Sequence, residues 1–143
     1  MIGYFDTSAF VPLLVAEPSS RACRRFWDSA DSVVTCRLLY LEAAAALAQA
    51  ERMARLDHTQ HQRARDLLDG MWAELDIIEV DEPLVRAAAD AAHAFGLRGY
   101  DAVHCTAAEQ LADPDLVAAA GDGRLLAAWH KRGVSTYDTN QDG

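Results

Sequence analysis

The chain reads as an α/β protein, a sandwich of helices packed on a mostly parallel sheet. Three observations predict this. Short apolar runs suited to strands alternate with helical patterns along the whole length. The 143 residues are about one domain's worth, and with 51% hydrophobic and 24% charged residues they can build a core. No Pro/Gly/Ser-rich linker, low-complexity tract or internal repeat divides the chain.

The elements follow in order. Ile2–Phe5 is an apolar strand, and Ser8–Val15 a short helix. Ser19–Ser29 follows Pro18, and its Ala22/Phe26 and Cys23/Trp27 pairs fall at helical spacing. Ser32–Thr35 is a strand, and Leu38–Arg55 a long alanine-rich helix that turns charged in its last turns. Thr59–Leu75 repeats Ala64, Leu67, Leu68, Met71, Trp72 and Leu75 at helical spacing. Asp76–Val80 is the third strand. Leu84–Phe95 starts after Asp81-Glu82-Pro83 and stops before Gly96, a start and stop pair with a capping rationale. Asp101–Leu111 is a helix, Leu116–Ala120 a strand, Arg124–Arg132 a helix and Val134–Thr136 a weak last strand. This is one domain over residues 1–137, with a short polar tail at 138–143.

Bulk properties narrow the function classes. No stretch of about 18 apolar residues is present, so no spanning helix is expected. The N-terminus lacks the basic and apolar segments of a signal peptide. Cys23, Cys36 and Cys105 are odd in number and widely spaced, as for reduced core thiols, neither a disulfide framework nor a zinc site. A cytoplasmic location follows as an expectation. The net charge of -9 argues against a binder that relies on a basic face. The positive charge is almost all arginine, twelve against the single Lys131.

Four acidic residues stand at the edges of core-forming sequence. Asp6 ends the first strand, and Asp122 follows Leu116–Ala120. Ligands bind outside the carboxyl ends of strands in such sheets. Glu42 is the only charge within Leu38–Ala48, and Asp101 opens a helix, with His104 and Cys105 one turn further along the same face. Each has a plainer reading: a cap or turn for Asp6 and Asp122, a buried ion pair for Glu42, a helix-dipole partner for Asp101. Jointly they could converge on one crevice. Four carboxylates there raise one another's pKa unless cations are bound. Hard divalent ions with oxygen ligands relieve this, and such ions serve phosphodiester chemistry.

These residues resemble the PIN domain, and within it the VapC-type toxins of bacterial toxin–antitoxin pairs. The matching stretches are Phe5-Asp6-Thr7-Ser8-Ala9-Phe10, Leu41-Glu42, Arg98-Gly99-Tyr100-Asp101-Ala102-Val103-His104 and Gly121-Asp122-Gly123-Arg124-Leu125. The resemblance implies a three-layer α/β/α sandwich and a Mg²⁺- or Mn²⁺-dependent endoribonuclease. Asp6 and Asp101 would be the most direct metal ligands, Glu42 and Asp122 would complete the site or orient water, and the Thr7 and Ser8 hydroxyls would support the first ligand. The fourth position departs from the pattern, because Ala120-Gly121 precede Asp122 where members often carry Thr or Ser. A homodimer, a VapB-like antitoxin and an RNA substrate are implied as partners. Arg37, Arg98 and Arg124 are candidates for RNA phosphates, the alternative being solvated surface charges.

Other classes fit less well. Asp6-Thr7-Ser8-Ala9 resembles an aspartic-protease loop, but that enzyme needs an all-β body. A dehalogenase-like phosphatase wants a second aspartate where Ser8 stands and a lysine base. A catalytically silent PIN-like module that binds an antitoxin or RNA is the main alternative. His58 and His61 read as a polar helix start. Trp27, Trp72 and Trp129 read as core or dimer contacts, not base-stacking platforms.

Overall fold

The computed structural model describes residues 1–141; the last two residues of the expected tail, Asp142 and Gly143, lie outside the described residues. Five strands form one sheet: β1 (Ile2–Phe5), β2 (Ser32–Cys36), β3 (Asp76–Ile78), β4 (Leu116–Ala120) and β5 (Ser135–Asp138). Their order is β3-β2-β1-β4-β5, and every neighbouring pair is parallel. The sheet expected to be mostly parallel is entirely so among the described strands. Among the described residues, seven helices connect and cover it: α1 (Thr7–Leu14), α2 (Ser20–Ser29), α3 (Leu38–Arg52), α4 (His58–Trp72), α5 (Glu82–Phe95), α6 (Gly99–Leu111) and α7 (Gly123–Lys131).

The side-chain period of two along β1 separates two cores. Tyr4 points into a cluster with Val34, Leu84, Ala88, Cys105, Ala118 and Trp129, built under α5, α6 and α7. Phe5 points the other way, to Phe10, Phe26, Val33, Leu39, Leu47 and Leu68 under α1 to α4. Helices thus cover both faces, which makes three layers. Both strands beside β1 are buried on both faces, so they read as continuous apolar runs, as parallel strands do. Trp129 is fully buried, while Trp27 packs on Phe5 and Phe10, and Trp72 on Tyr40.

Local chemistry explains most boundaries. Asp57 caps α4 in a reciprocal box with Gln60, and Asp81 caps α5 by accepting from the Leu84 amide. Gly96 ends α5 at φ 64, a left-handed conformation that costs glycine nothing. The long alanine-rich helix stops at Arg52, three residues short of the expected Arg55. The last strand starts at Ser135 and runs to Asp138, two residues past the expected Thr136. Thr139 and Asn140 then fold back, with the Thr139 backbone amide donating to the Ala120 carbonyl at 3.1 Å and the Asn140 side-chain Nδ2 donating to the Gly121 carbonyl at 2.9 Å.

Strand order sets where a ligand can bind. From β1 the chain builds outward through β2 and β3, then crosses back to place β4 on the other side of β1. The order therefore reverses between β1 and β4. A crevice opens at such a switch point, beyond the carboxyl ends of the two strands. Asp6 and Asp122 are the residues just past those ends.

Candidate active site

Asp6 stands at the centre. Its amide bonds to the Ala119 carbonyl at 3.0 Å, so β4 holds its backbone. Its side chain caps α1, with Oδ2 accepting from the Ser8 amide at 3.1 Å and from the Ser8 hydroxyl. The same Ser8 Oγ accepts from the Gly121 amide at 2.8 Å, which ties the ends of β1 and β4 together. Gly121 has no room for more: a Cβ there would meet Thr139 Oγ1 at 3.1 Å and Asn140 Nδ2 at 3.4 Å.

Glu42 reaches in from α3. Its side chain is 19% exposed, whereas Leu41 beside it is 67% exposed. The helix thus turns a carboxylate inward and a leucine outward. Oε1 accepts from the Thr7 hydroxyl at 2.7 Å and lies 2.7 Å from His104 Nε2. His104 is fully buried on α6, one turn past Asp101. Its Nε2 is also 3.7 Å from Asp6 Oδ1, and its Nδ1 is 2.8 Å from the Tyr4 hydroxyl. Burial works against a charged imidazole here, but the contacts to Cys36 and Glu42 and the charge of Asp6 outweigh it and hold the pKa well above the usual histidine value.

Asp101 and Asp122 form the other half. Asp101 sits in the first turn of α6, and Asp122 caps α7 by accepting from the Arg124 amide at 2.9 Å and the Leu125 amide at 3.3 Å. Arg98 spans both carboxylates: Nε donates to Asp101 Oδ2 at 3.0 Å, and a terminal nitrogen lies 3.8 Å from Asp122 Oδ2. Its guanidinium also lies over the Tyr100 ring at 4.9 Å. Burial raises the Asp101 pKa; Arg98 pulls it down, and the charges of Asp122 and Asp6 push it up, with a net upward shift. These residues border a cleft of about 640 Å³ lined by Leu97, Arg98, Asp101, Asp122, Gly123 and Arg124.

The sequence-predicted acidic residues therefore form two neighbouring halves: Asp101 and Asp122 line the cleft, while Asp6 and Glu42 meet at His104, with Asp6 near enough to Asp101 for its charge to raise that pKa. Among the described residues, no three His, Cys, Asp or Glu side chains are gathered closely enough to ligate one ion as they stand. As they stand, the carboxylates are held in two pairs, Glu42 and Asp6 beside His104, and Asp101 and Asp122 against Arg98. The donor set nevertheless fits a hard cation. Each carboxylate commits one oxygen to the protein: Asp6 Oδ2 to Ser8, Glu42 Oε1 to Thr7 and His104, Asp101 Oδ2 to Arg98, Asp122 Oδ1 to its helix. Each keeps a second oxygen without a hydrogen bond among the described residues. Four such oxygens, with two hydroxyls beside them, are what Mg²⁺ or Mn²⁺ prefers.

The arginines differ. Arg98 is in the site, and exposed Arg124 lines the cleft. Arg37 is paired with Glu79 on the surface and lies 5.9 Å over the Trp72 ring. His104 is the functional candidate that sequence reasoning did not assign, although its place one turn after Asp101 was visible. Tyr4 had no signal beyond its apolar strand.

The PIN domain family profile matches residues 3–128. The chain belongs to the PIN-domain family. Within this family it is of the VapC type: it is 38% identical over 139 residues to Ribonuclease VapC45 of Mycobacterium tuberculosis, covering 97% of this chain and 96% of that relative. Two solved structures share the PIN fold. FitAcB from Neisseria gonorrhoeae superposes with a TM-score of 0.73 at 18% identity, over 99% of each chain. VapC20 of Mycobacterium tuberculosis, described as a toxin that cleaves the sarcin–ricin loop, has a TM-score of 0.68 at 19% identity, over 88% of this chain and 94% of its own. As in the sequence expectation, no described helix of this PIN protein is long and apolar enough to cross a membrane.

Proposed function

We propose that this PIN protein is a Mg²⁺- or Mn²⁺-dependent endoribonuclease, the toxin of a toxin–antitoxin pair, acting in the cytoplasm. The observation that carries the reading is the set of four carboxylates, each with an oxygen that makes no hydrogen bond among the described residues, although Asp122 Oδ2 faces Arg98 at 3.8 Å and Asp6 Oδ1 faces His104 at 3.7 Å. Asp6, Asp101, Glu42 and Asp122 would hold the cation, with Thr7 and Ser8 in support. The cation would supply an activated water and neutralise charge at the phosphodiester. The chain's own residues do the rest. Ser8 and the Ala119 carbonyl fix Asp6. Thr7 and His104 hold one oxygen of Glu42. Arg98 and Arg124 at the open cleft would meet RNA phosphates, where arginine can bind bidentately; Arg37, engaged with Glu79, would meet them only after leaving that pair. Water would be the nucleophile and the 3′ oxygen would leave as the P–O3′ bond breaks, so the products would carry a 5′-phosphate and a 3′-hydroxyl. The acidic surface suits a basic segment of a VapB-like antitoxin, and the active species would be a homodimer.

The test uses antitoxin-free protein and structured RNA, with and without Mn²⁺. Cleavage should require Mn²⁺ and vanish in EDTA and in Asp6→Asn. Cleavage that survives EDTA or the substitution would reject the metal site. A silent binding module is the second reading, favoured by the Arg98 contact with Asp101 and Asp122. It predicts no thermal shift on adding Mn²⁺.

A further inference from the structure

The most enclosed polar group near the crevice is His104, which offers no atom to a substrate. Its ring is fully buried between β1, β2 and α6, in edge contact with Tyr4 at a centroid distance of 5.9 Å. Both ring nitrogens are nonetheless engaged. An ionised Glu42 can only accept, so the hydrogen in the 2.7 Å contact belongs to His104 Nε2. The Thr7 hydroxyl donates its one hydrogen to the same oxygen, so its 3.3 Å contact with Nε2 can only be as an acceptor. The other side of the ring is held by Tyr4 at 2.8 Å. The result is a chain of contacts from the strand core through the imidazole to Glu42, with Asp6 Oδ1 at 3.7 Å from the same Nε2.

Without that anchor Glu42 has only Thr7 to hold it. The side-chain torsions of Glu42 are then free to carry its carboxylate away from Asp6. We propose that His104 is a positioning residue for the acidic site: its Nε2 hydrogen bond, backed by Tyr4, keeps the Glu42 carboxylate turned inward beside Asp6, so that Glu42 presents its second oxygen to a divalent cation. This inference rests on the nuclease reading above. It assigns His104 no contact with RNA. Partners of this kind orient metal-binding side chains, and their loss typically costs about 10- to 100-fold in metal affinity or activity.

The experiment compares the full wild-type chain with His104→Ala, His104→Gln and Glu42→Gln. Mn²⁺ binding is titrated without RNA, cleavage is resolved into kcat and KM, and folding is checked by thermal melts in EDTA. The His104 Nε2–H resonance is followed by NMR. His104→Ala should bind Mn²⁺ about 10- to 100-fold more weakly and lose kcat in the same range, with KM for RNA unchanged. His104→Gln, whose amide can still donate to Glu42, should recover much of that loss. The Nε2–H resonance should move in Glu42→Gln. Wild-type Mn²⁺ affinity and kcat in His104→Ala would overturn the proposal and leave the nuclease reading intact. Equal losses in the alanine and glutamine variants, both folded and with raised KM, would reduce His104 to packing and also overturn it. If His104→Ala does not fold, the glutamine variant and the Nε2–H resonance decide: a resonance unmoved by Glu42→Gln counts against the contact. A wild-type chain that neither binds Mn²⁺ nor cuts RNA, yet shows the shifted resonance, would sink the nuclease reading while supporting the positioning contact.

Discussion

The two halves of the acidic crevice balance their charge in different ways. Asp6 and Glu42 face His104, a ring sealed inside the core and held by Tyr4. Asp101 and Asp122 face Arg98, whose side chain is 65% exposed. The inner partner cannot leave without opening the core. The outer one rests on a flexible stem, in water, and is screened by salt. One half is therefore permanently set, and the other is exchangeable: Arg98 can give way to a cation or turn to an RNA phosphate without disturbing the fold.

Removing the proposed direct ligand of either half should have the largest effect. Asp6→Asn or Asp101→Asn should lower single-turnover RNA cleavage by at least about 100-fold, since metal-based charge stabilisation amounts to several kcal/mol and each 1.36 kcal/mol is tenfold. Near-normal cleavage by either variant would detach that residue from the chemistry.

Stability should separate the halves next. His104→Ala leaves Glu42 and Tyr4 short of a buried partner and should cost about 2–4 kcal/mol in urea unfolding. Arg98→Ala should leave the unfolding midpoint close to wild type. Equal effects would erase the distinction between a set half and an exchangeable one.

A smaller effect belongs to metal affinity. Arg98→Ala frees Asp101 and Asp122, so Mn²⁺ should bind a few-fold more tightly at low salt while KM for RNA rises. Weaker Mn²⁺ binding would mean that Arg98 organises the carboxylates and does not compete for them.

The smallest is a pH effect in EDTA. The Asp101 pKa is raised in the folded state, first by burial. A raised folded pKa means that the protonated form contributes stability at low pH, lost as pH rises through the folded value. Asp101→Asn should therefore gain thermal stability relative to wild type on going from acid to neutral pH. A constant difference across that range would contradict the shift.

Much of this was legible in the sequence because the signals are local. Strands β1 and β4 match their expected bounds, since each is a short apolar run that ends at an Asp- or Gly-containing turn. Helix α5 was marked by Asp81 and Gly96 at its ends. The β5 boundary was not, because Ser135–Asp138 pairs along one edge only and carries a polar, half-exposed pattern. In the site, Asp6 and Asp101 carried recognisable flanks. The pairing of Arg98 with Asp122, 24 residues away along the chain, had no local trace.

By itself, then, the sequence determined the alternation of elements and the four acidic positions. These depend on periodicity and on neighbours within a few residues. Only the tertiary structure decided that β1 sits between β2 and β4, which puts Asp6 and Asp122 at one switch point. It alone decided that a buried histidine and an exposed arginine divide the carboxylates between them. Those choices depend on which strands pair and how helices cross, so they are contacts between residues far apart in the chain.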